Sequence, residues 1–253
     1  MRIVVIGGTG LIGTKVVATL AAQGHDPVAA ARATGVNSFT GEGLAAVLEN
    51  AEVVVDVSNS SYTDESGALE FFYGSTLNLL THGAAAGVRH HVALSVVGTD
   101  RLAQTERGYF FAKDAQETLI KRSSMPYSIV HATQFFEFVR SIADAATHGN
   151  QIHLAHALVQ PMAGDDVALA IARTAVGEPT GGTTEFGGPE QFTMADLIAL
   201  ELRFRRDPRQ VVADPLARYF GNTLSERELL PREDAVRSST RFSEWLERAN
   251  LPV

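Results

Sequence analysis

Tyr109 and Lys113 stand four residues apart in a stretch, 109–123, whose apolar residues recur at three- and four-residue intervals. That spacing puts both side chains on one face of a helix. A phenol beside an ammonium is a proton-transfer pair, because the cation stabilises the phenolate and draws the tyrosine toward its working range. A second constellation lies at the N-terminus, where Gly7-Gly8-Thr9-Gly10-Leu11-Ile12-Gly13 follows the apolar run 3–6 and opens an amphipathic segment. It reads as G-x-x-G-x-x-G, and equally as G-x-G-x-x-G from Gly8. Glycines here allow a tight turn and close approach of the backbone to a pyrophosphate, which the following helix N-terminus attracts through free N–H groups and partial positive charge. With a strand before and a helix after, the motif predicts nucleotide binding by Gly7, Thr9, Gly10, Leu11, Ile12 and Gly13.

The run after the first helix refines the cofactor. Dinucleotide sites that prefer NAD(H) place a carboxylate near the end of the second strand, against the ribose hydroxyls. This sequence has Ala29-Ala30-Ala31-Arg32 there. An arginine at that point pairs with a 2′-phosphate, so NADP(H) is favoured over NAD(H); a solvated strand-end arginine is the plainer alternative. Lys15 is a second, weaker candidate. Thr40-Gly41 would reach the adenine, and Val57 and Ser58, after Asp56, lie where the cofactor crosses the sheet. The histidines do not make a metal site. His90 and His91 are adjacent on a strand and point to opposite faces, and His153 and His156 lack a third ligand.

These groups need a scaffold. Apolar, mostly β-branched runs at 3–6, 28–31, 36–39, 53–57, 91–95 and 127–131 alternate with helical patterns at 11–23, 44–50, 66–86 and 109–123. Strand runs without polar alternation are buried on both faces, and repeated strand–helix–strand units predict an α/β fold, a Rossmann-type doubly wound parallel sheet. The texture changes near residue 150. Short strands at 151–154, 183–186 and 210–212, with helices at 165–176, 194–204 and 240–249, predict a smaller α+β substrate lobe over 151–253, packed on a dinucleotide-binding domain over 1–150. Ligands of an open parallel sheet sit outside the carboxyl ends of the strands. His131 ends the sixth strand and either faces that cleft or is a hydrogen-bonded core residue. Phe135 and Phe136 with Leu158 and Val159 would wall the substrate, with Glu137 the nearest charge. Such a wall suits an apolar or aromatic molecule better than a phosphorylated sugar.

Composition narrows the classes further. The 253 residues hold no cysteine, which excludes disulfides, thiolate nucleophiles and cysteine metal sites. Acidic residues outnumber basic ones 29 to 21, a poor balance for binding nucleic acid directly. No run approaches the roughly 18 apolar residues of a membrane span, and the N-terminus is not a secretory signal. The expectation is a cytoplasmic protein, monomer or homodimer, that acts on a small molecule.

Several of these segments together resemble the NmrA-like proteins, atypical members of the short-chain dehydrogenase/reductase superfamily. They are the N-terminal glycine turn, Val-Val-Val-Asp-Val-Ser-Asn at 53–59, Leu-Ser-Val-Val-Gly at 94–98, Tyr109 to Lys113 followed by Glu117, the stretch 127–136, and Val-Gln-Pro-Met at 159–162 with Asp-Asp-Val-Ala at 165–168. The resemblance covers about residues 1–175. It implies an NADPH-dependent reductase in which Tyr109 gives the proton, Lys113 holds the nicotinamide ribose, and Ser95 or Thr99 holds the substrate oxygen, although the usual serine falls nearer Val97. It also covers non-catalytic NADP(H)-sensing regulators that act through a protein partner.

Overall fold

A computed structural model describes residues 1–60, 65–104, 107–219 and 221–249. Its centre is a seven-stranded sheet in the order β12-β9-β5-β4-β3-β1-β2, parallel throughout. The strands are β1 (Arg2–Ile6), β2 (Asp26–Ala30), β3 (Val53–Asp56), β4 (His90–Val96), β5 (Tyr127–Ala132), β9 (Thr183–Gly187) and β12 (Val236–Arg237). The run Val53–Asp56 is buried at every position, as a central parallel strand covered on both faces must be.

Alternate residues of β1 show how the layers form. Ile3 and Val5 pack with Ile12, Val16 and Leu20 of α1 (Leu11–Ala22) and with Val167 and Ile171 of α7 (Gly164–Val176). Val4 and Ile6 face the other way, onto Leu44 of α2 (Leu44–Val47) and Leu79 of α3 (Glu65–Ala86). Helix α5 (Tyr109–Arg122) lies beside α3 on that second face, and the short α4 (Thr99–Leu102) leads into it.

Residues beyond 150 do not all stand apart from this sheet. α7, β9 and β12 belong to it, so the expected boundary at 150 is not a division of the core. The remainder forms a second cluster over the strand ends. It holds a three-stranded sheet of β6 (Thr147–His148), β7 (Gln151–Leu154) and β11 (Gln210–Ala213), and a ladder of β8 (Leu158–Val159) with β10 (Phe192–Thr193). Around them pack α6 (Val139–Ala145), α8 (Met194–Arg205) and α9 (Phe242–Ala249) through Ile142, Ile152, Ile198 and Phe242. The last expected lobe residues, 250–253, lie outside the described residues.

One expected strand is absent. Residues 36–39 form a loop, because Gly35, Gly41 and Gly43 adopt positive φ and Asn37 Oδ1 accepts from the backbone N–H groups of Phe39 and Thr40. That side-chain turn replaces ladder pairing. No described helix is long and apolar enough to cross a membrane, and no cluster of three metal-ligating side chains occurs among the described residues.

Candidate active site

A cleft of about 980 Å³ runs across the carboxyl ends of β1 to β5. The glycine turn forms one end of it, with Gly7, Thr9, Gly10, Leu11, Ile12 and Gly13 in the wall. The geometry admits little else. A Cβ on Gly13 would lie 2.0 Å from the Gly7 carbonyl oxygen, and one on Gly8 2.7 Å from Ala29 Cα. Gly10 begins α1 with no side-chain cap and no acid in the first turn, so the end of that helix keeps its N–H groups and positive potential. α7 differs in this respect. Its N-terminus is closed by Glu137, whose carboxylate accepts from Gly164 N at 3.0 Å, and Asp165 and Asp166 sit in its first turn. Burial pushes the Glu137 carboxyl up. Glu137 is therefore a helix cap and not a charge in the cleft wall.

Arg32 starts the short 3-10 turn Arg32–Thr34 at the cleft, exposed and without a charged or hydrogen-bonding side-chain partner among the described residues. Lys15 is committed elsewhere, with Nζ 2.6 Å from Asp165. Val57 and Ser58 line the cleft as expected, but Thr40 and Gly41 do not. The loop instead presents Asn37, Ser38 and Phe39, held by Asn78 Nδ2, which donates to the Ser38 and Phe39 carbonyls. Gly41 turns toward His82 and Asn78 of α3. Phe39 stacks on Phe71 with ring centroids 6.3 Å apart, and both line the cleft.

Tyr109 and Lys113 share the expected face of α5 and both open on the cleft. The Tyr109 hydroxyl donates to Asn59 Oδ1 at 2.9 Å, and its ring meets Phe72 edge-on. The Lys113 ammonium lies 4.5 Å from the centre of the Phe72 ring and donates to the Leu94 carbonyl at 2.7 Å and to Gln116 Oε1. Two of its three N–H donors are thus engaged within the protein. Burial pulls its pKa down to about 8, against the opposing charges of Asp56 and Glu117. Gln116 passes the contact on to Asp56 Oδ2 at 2.9 Å, and Asp56 Oδ1 accepts from the Ser58 hydroxyl.

Ser95 corrects the expectation. It is in the wall, yet its hydroxyl donates to Glu117 Oε1 at 2.6 Å. Glu117 also receives His131 Nε2 at 2.7 Å and Lys121 Nζ at 2.9 Å. His131 Nδ1 lies 3.8 Å from Glu185, whose other oxygen accepts from Arg232 N. His131 is therefore the centre of a buried ionic chain and not a cleft residue. Burial works against both charges, but the hydrogen bonds win, holding Glu117 at about 2 and raising His131. Thr99 is no substitute for Ser95, since its hydroxyl donates to the Val96 carbonyl.

Of the residues expected to wall the substrate, one lies at the far end of the cleft. Phe135 lines it, joined by Phe110, Phe138, Ser141, Ile142 and Tyr219. Phe136 instead packs in the core against Phe242 at 5.0 Å. Leu158 and Val159 pair with Thr193 and Phe192 outside the cleft. The helical spacing of Phe138, Ser141 and Ile142 is the sequence signal that points to this lining; Tyr219 gives none.

The solved structures that share this architecture decide the fold. UDP-glucose 4-epimerase from Thermotoga maritima, solved with UDP-glucose, is 16% identical with a TM-score of 0.76, covering 98% of this chain and 96% of that one. dTDP-4-dehydrorhamnose reductase from Bacillus anthracis, in complex with NADP, is 14% identical with a TM-score of 0.75, covering 98% and 97%. This chain shares their Rossmann-type α/β fold. Another bearer of that fold is DesIV, a dTDP-glucose 4,6-dehydratase from Streptomyces venezuelae solved with NAD, at 19% identity and a TM-score of 0.75 over 99% and 98% of the two chains. No family model matches the sequence. Among curated proteins the sequence is similar to the photosystem II assembly factor Ycf39 of Synechocystis, at 26% identity over 152 residues. The match takes in 54% of this chain and 46% of Ycf39, so the chain spans about half the length of that relative.

Proposed function

We propose that this protein is an NADPH-dependent reductase of uncharged, apolar or aromatic carbonyl compounds. The observation that carries the reading is that the open N-terminus of α1 and the Tyr109–Lys113 pair face one continuous cleft. The residues fit a nicotinamide dinucleotide. The glycine turn and free N–H groups of α1 suit the pyrophosphate, Phe39 and Phe71 suit the adenine, and the uncommitted Arg32 suits a 2′-phosphate. Lys113, with a donor to spare, suits the nicotinamide ribose. The cofactor, when bound, supplies a hydride from C4 of its nicotinamide.

Tyr109 donates its hydroxyl proton to the carbonyl oxygen as charge builds there, and the ammonium of Lys113 stabilises the resulting phenolate. Asn59 orients the hydroxyl. Ser95 supports this arrangement through Glu117 without touching the substrate. The cationic side chains among the lining residues are Arg32 and Lys113, both assigned to the cofactor. Nothing cationic remains at the phenylalanine end to hold a sugar diphosphate, which favours an uncharged substrate.

Fluorescence titration with NADPH and NADH, followed by NADPH consumption over a panel of aromatic aldehydes, ketones and quinones, tests the reading. Tighter NADPH binding with turnover supports it. Tight binding with no consumption by any member moves the protein to the sensor class.

A further inference from the structure

Gln134 follows β5 at the substrate end of the cleft, between Thr133 and Phe135. It is 8% exposed, and both Nε2 and Oε1 are buried without a hydrogen-bond partner. Other buried side chains with unpaired atoms occur among the described residues, but Gln134 alone of them lines the cleft, and it alone leaves a donor and an acceptor open together. Its polar neighbours are already paired. The Thr133 hydroxyl donates to the Gln160 carbonyl at 2.7 Å, and Gln160 Nε2 donates to the Gly188 carbonyl at 2.7 Å. The backbone at Gln134 is also pinned, its carbonyl accepting from Met162 N at 2.9 Å. A buried amide in so rigid a setting is costly to leave unmatched, and a ligand that matches it recovers that cost.

Resting on the reductase reading, we propose that Gln134 is the specificity-determining residue. Its carboxamide pairs with a donor and an acceptor on one edge of a flat, uncharged substrate, as a lactam or cis-amide presents them. The surroundings suit the body of such a molecule. Phe135 and Phe138 stack at 5.5 Å with 26° between planes, and Phe110 and Ile142 complete an apolar wall. Ser141, exposed at the same end, adds a hydroxyl. Reduction of a ketone beside the amide balances in the ordinary way: the hydride adds to the carbonyl carbon, the C=O π pair moves to oxygen, and that oxygen takes the Tyr109 proton.

Isatin carries a lactam N–H and C=O beside a reducible ketone, and N-methylisatin lacks only the donor, so the pair tests the proposal. Calorimetry on protein saturated with NADP⁺ reads binding without turnover. The expected result is at least tenfold tighter binding of isatin, with the preference lost in Gln134→Met and in Gln134→Leu and with NADPH affinity unchanged in both. Two variants guard against one that fails to fold. Equal binding of the two probes, binding of neither, or a preference that survives both substitutions overturns the proposal. A fall in NADPH affinity also overturns it, because it assigns the amide to the carboxamide of the nicotinamide. Turnover is read separately. Bound isatin that is never reduced contradicts the reductase reading and leaves Gln134 its ligand; equal reduction of both probes sinks only Gln134.

Discussion

Arg32 and Ser95 mark the two ends of what single residues disclose. Arg32 is assigned its role in our proposal from where a strand ends and from a missing carboxylate, both local features, and the structure places it exposed at the cleft. A charge-assisted contact of the kind proposed, with a 2′-phosphate, would be worth roughly 1.5–3 kcal/mol. Arg32→Ala is therefore expected to weaken NADPH by about tenfold or more and to spare NADH; titration showing equal losses removes Arg32 from the role. Ser95 was misread because its partner Glu117 is 22 residues away and meets it only when α5 lies on β4. His131 was placed at the right strand end with its side left open between cleft and core, and Glu117 and Glu185 draw it inward. Neither attraction has a local signature.

Elements that repeat a simple rule were read correctly, and those shaped by side chains were not. The β1-turn-α1 unit follows from apolar run, glycines and helix. The loop at 36–39 does not, because Asn37 and three positive-φ glycines overrule an apolar run. At the α1 terminus, Gly10 has an extended backbone that other residues tolerate, although a Cβ there sits 3.2 Å from the Gly7 carbonyl. Gly10→Asp is expected to fold with stability within about 1 kcal/mol of wild type, since aspartate is a good cap. Its carboxylate occupies the N–H groups and repels phosphate, so NADPH affinity should fall more than tenfold; undiminished binding would place the pyrophosphate elsewhere.

The chain Ser95–Glu117–His131–Glu185 ties α5, β4, β5 and β9 together, and it titrates in two directions. Glu117 is depressed from 4.5 to about 2, so its stabilisation is present above pH 4.5 and is lost as pH falls through about 2. His131 is raised above 6.5, so its stabilisation is full below pH 6.5 and is lost as pH rises through the raised value. The shifts report one shared contact, which is strongest between about pH 4.5 and 6.5. Glu117→Gln is expected to cost about 3 kcal/mol in urea denaturation at pH 5.5, with a smaller loss at pH 3. A uniform loss at all pH values would mean that packing, not charge, is at stake.

At the scale of the whole molecule the sheet was visible and its closure was not. Parallel strands announce themselves by apolar runs, whereas nothing in the sequence marks that β9, legible as a strand, and β12 rejoin the main sheet from late in the chain. α6, directly after β5, and the distant Tyr219 both line the cleft, while Leu158 and Val159 stay in their own ladder. A wall built from α6 makes Ser141→Trp informative. The residue is exposed, so folding and NADPH affinity should hold, while KM for an aromatic carbonyl rises at least tenfold. An unchanged KM would move the substrate out of this end.

The most direct test of the reductase reading follows deuterium from NADPH labelled at C4 into an aromatic carbonyl, in wild type and in Tyr109→Phe. The variant loses one hydroxyl and almost no volume, so cofactor affinity should stay the same. General acid catalysis typically contributes about a hundred- to ten-thousandfold, and kcat should fall within that range while wild type gives deuterated alcohol. NADPH bound tightly by a wild-type protein that transfers no deuterium, or full turnover by Tyr109→Phe, would contradict it.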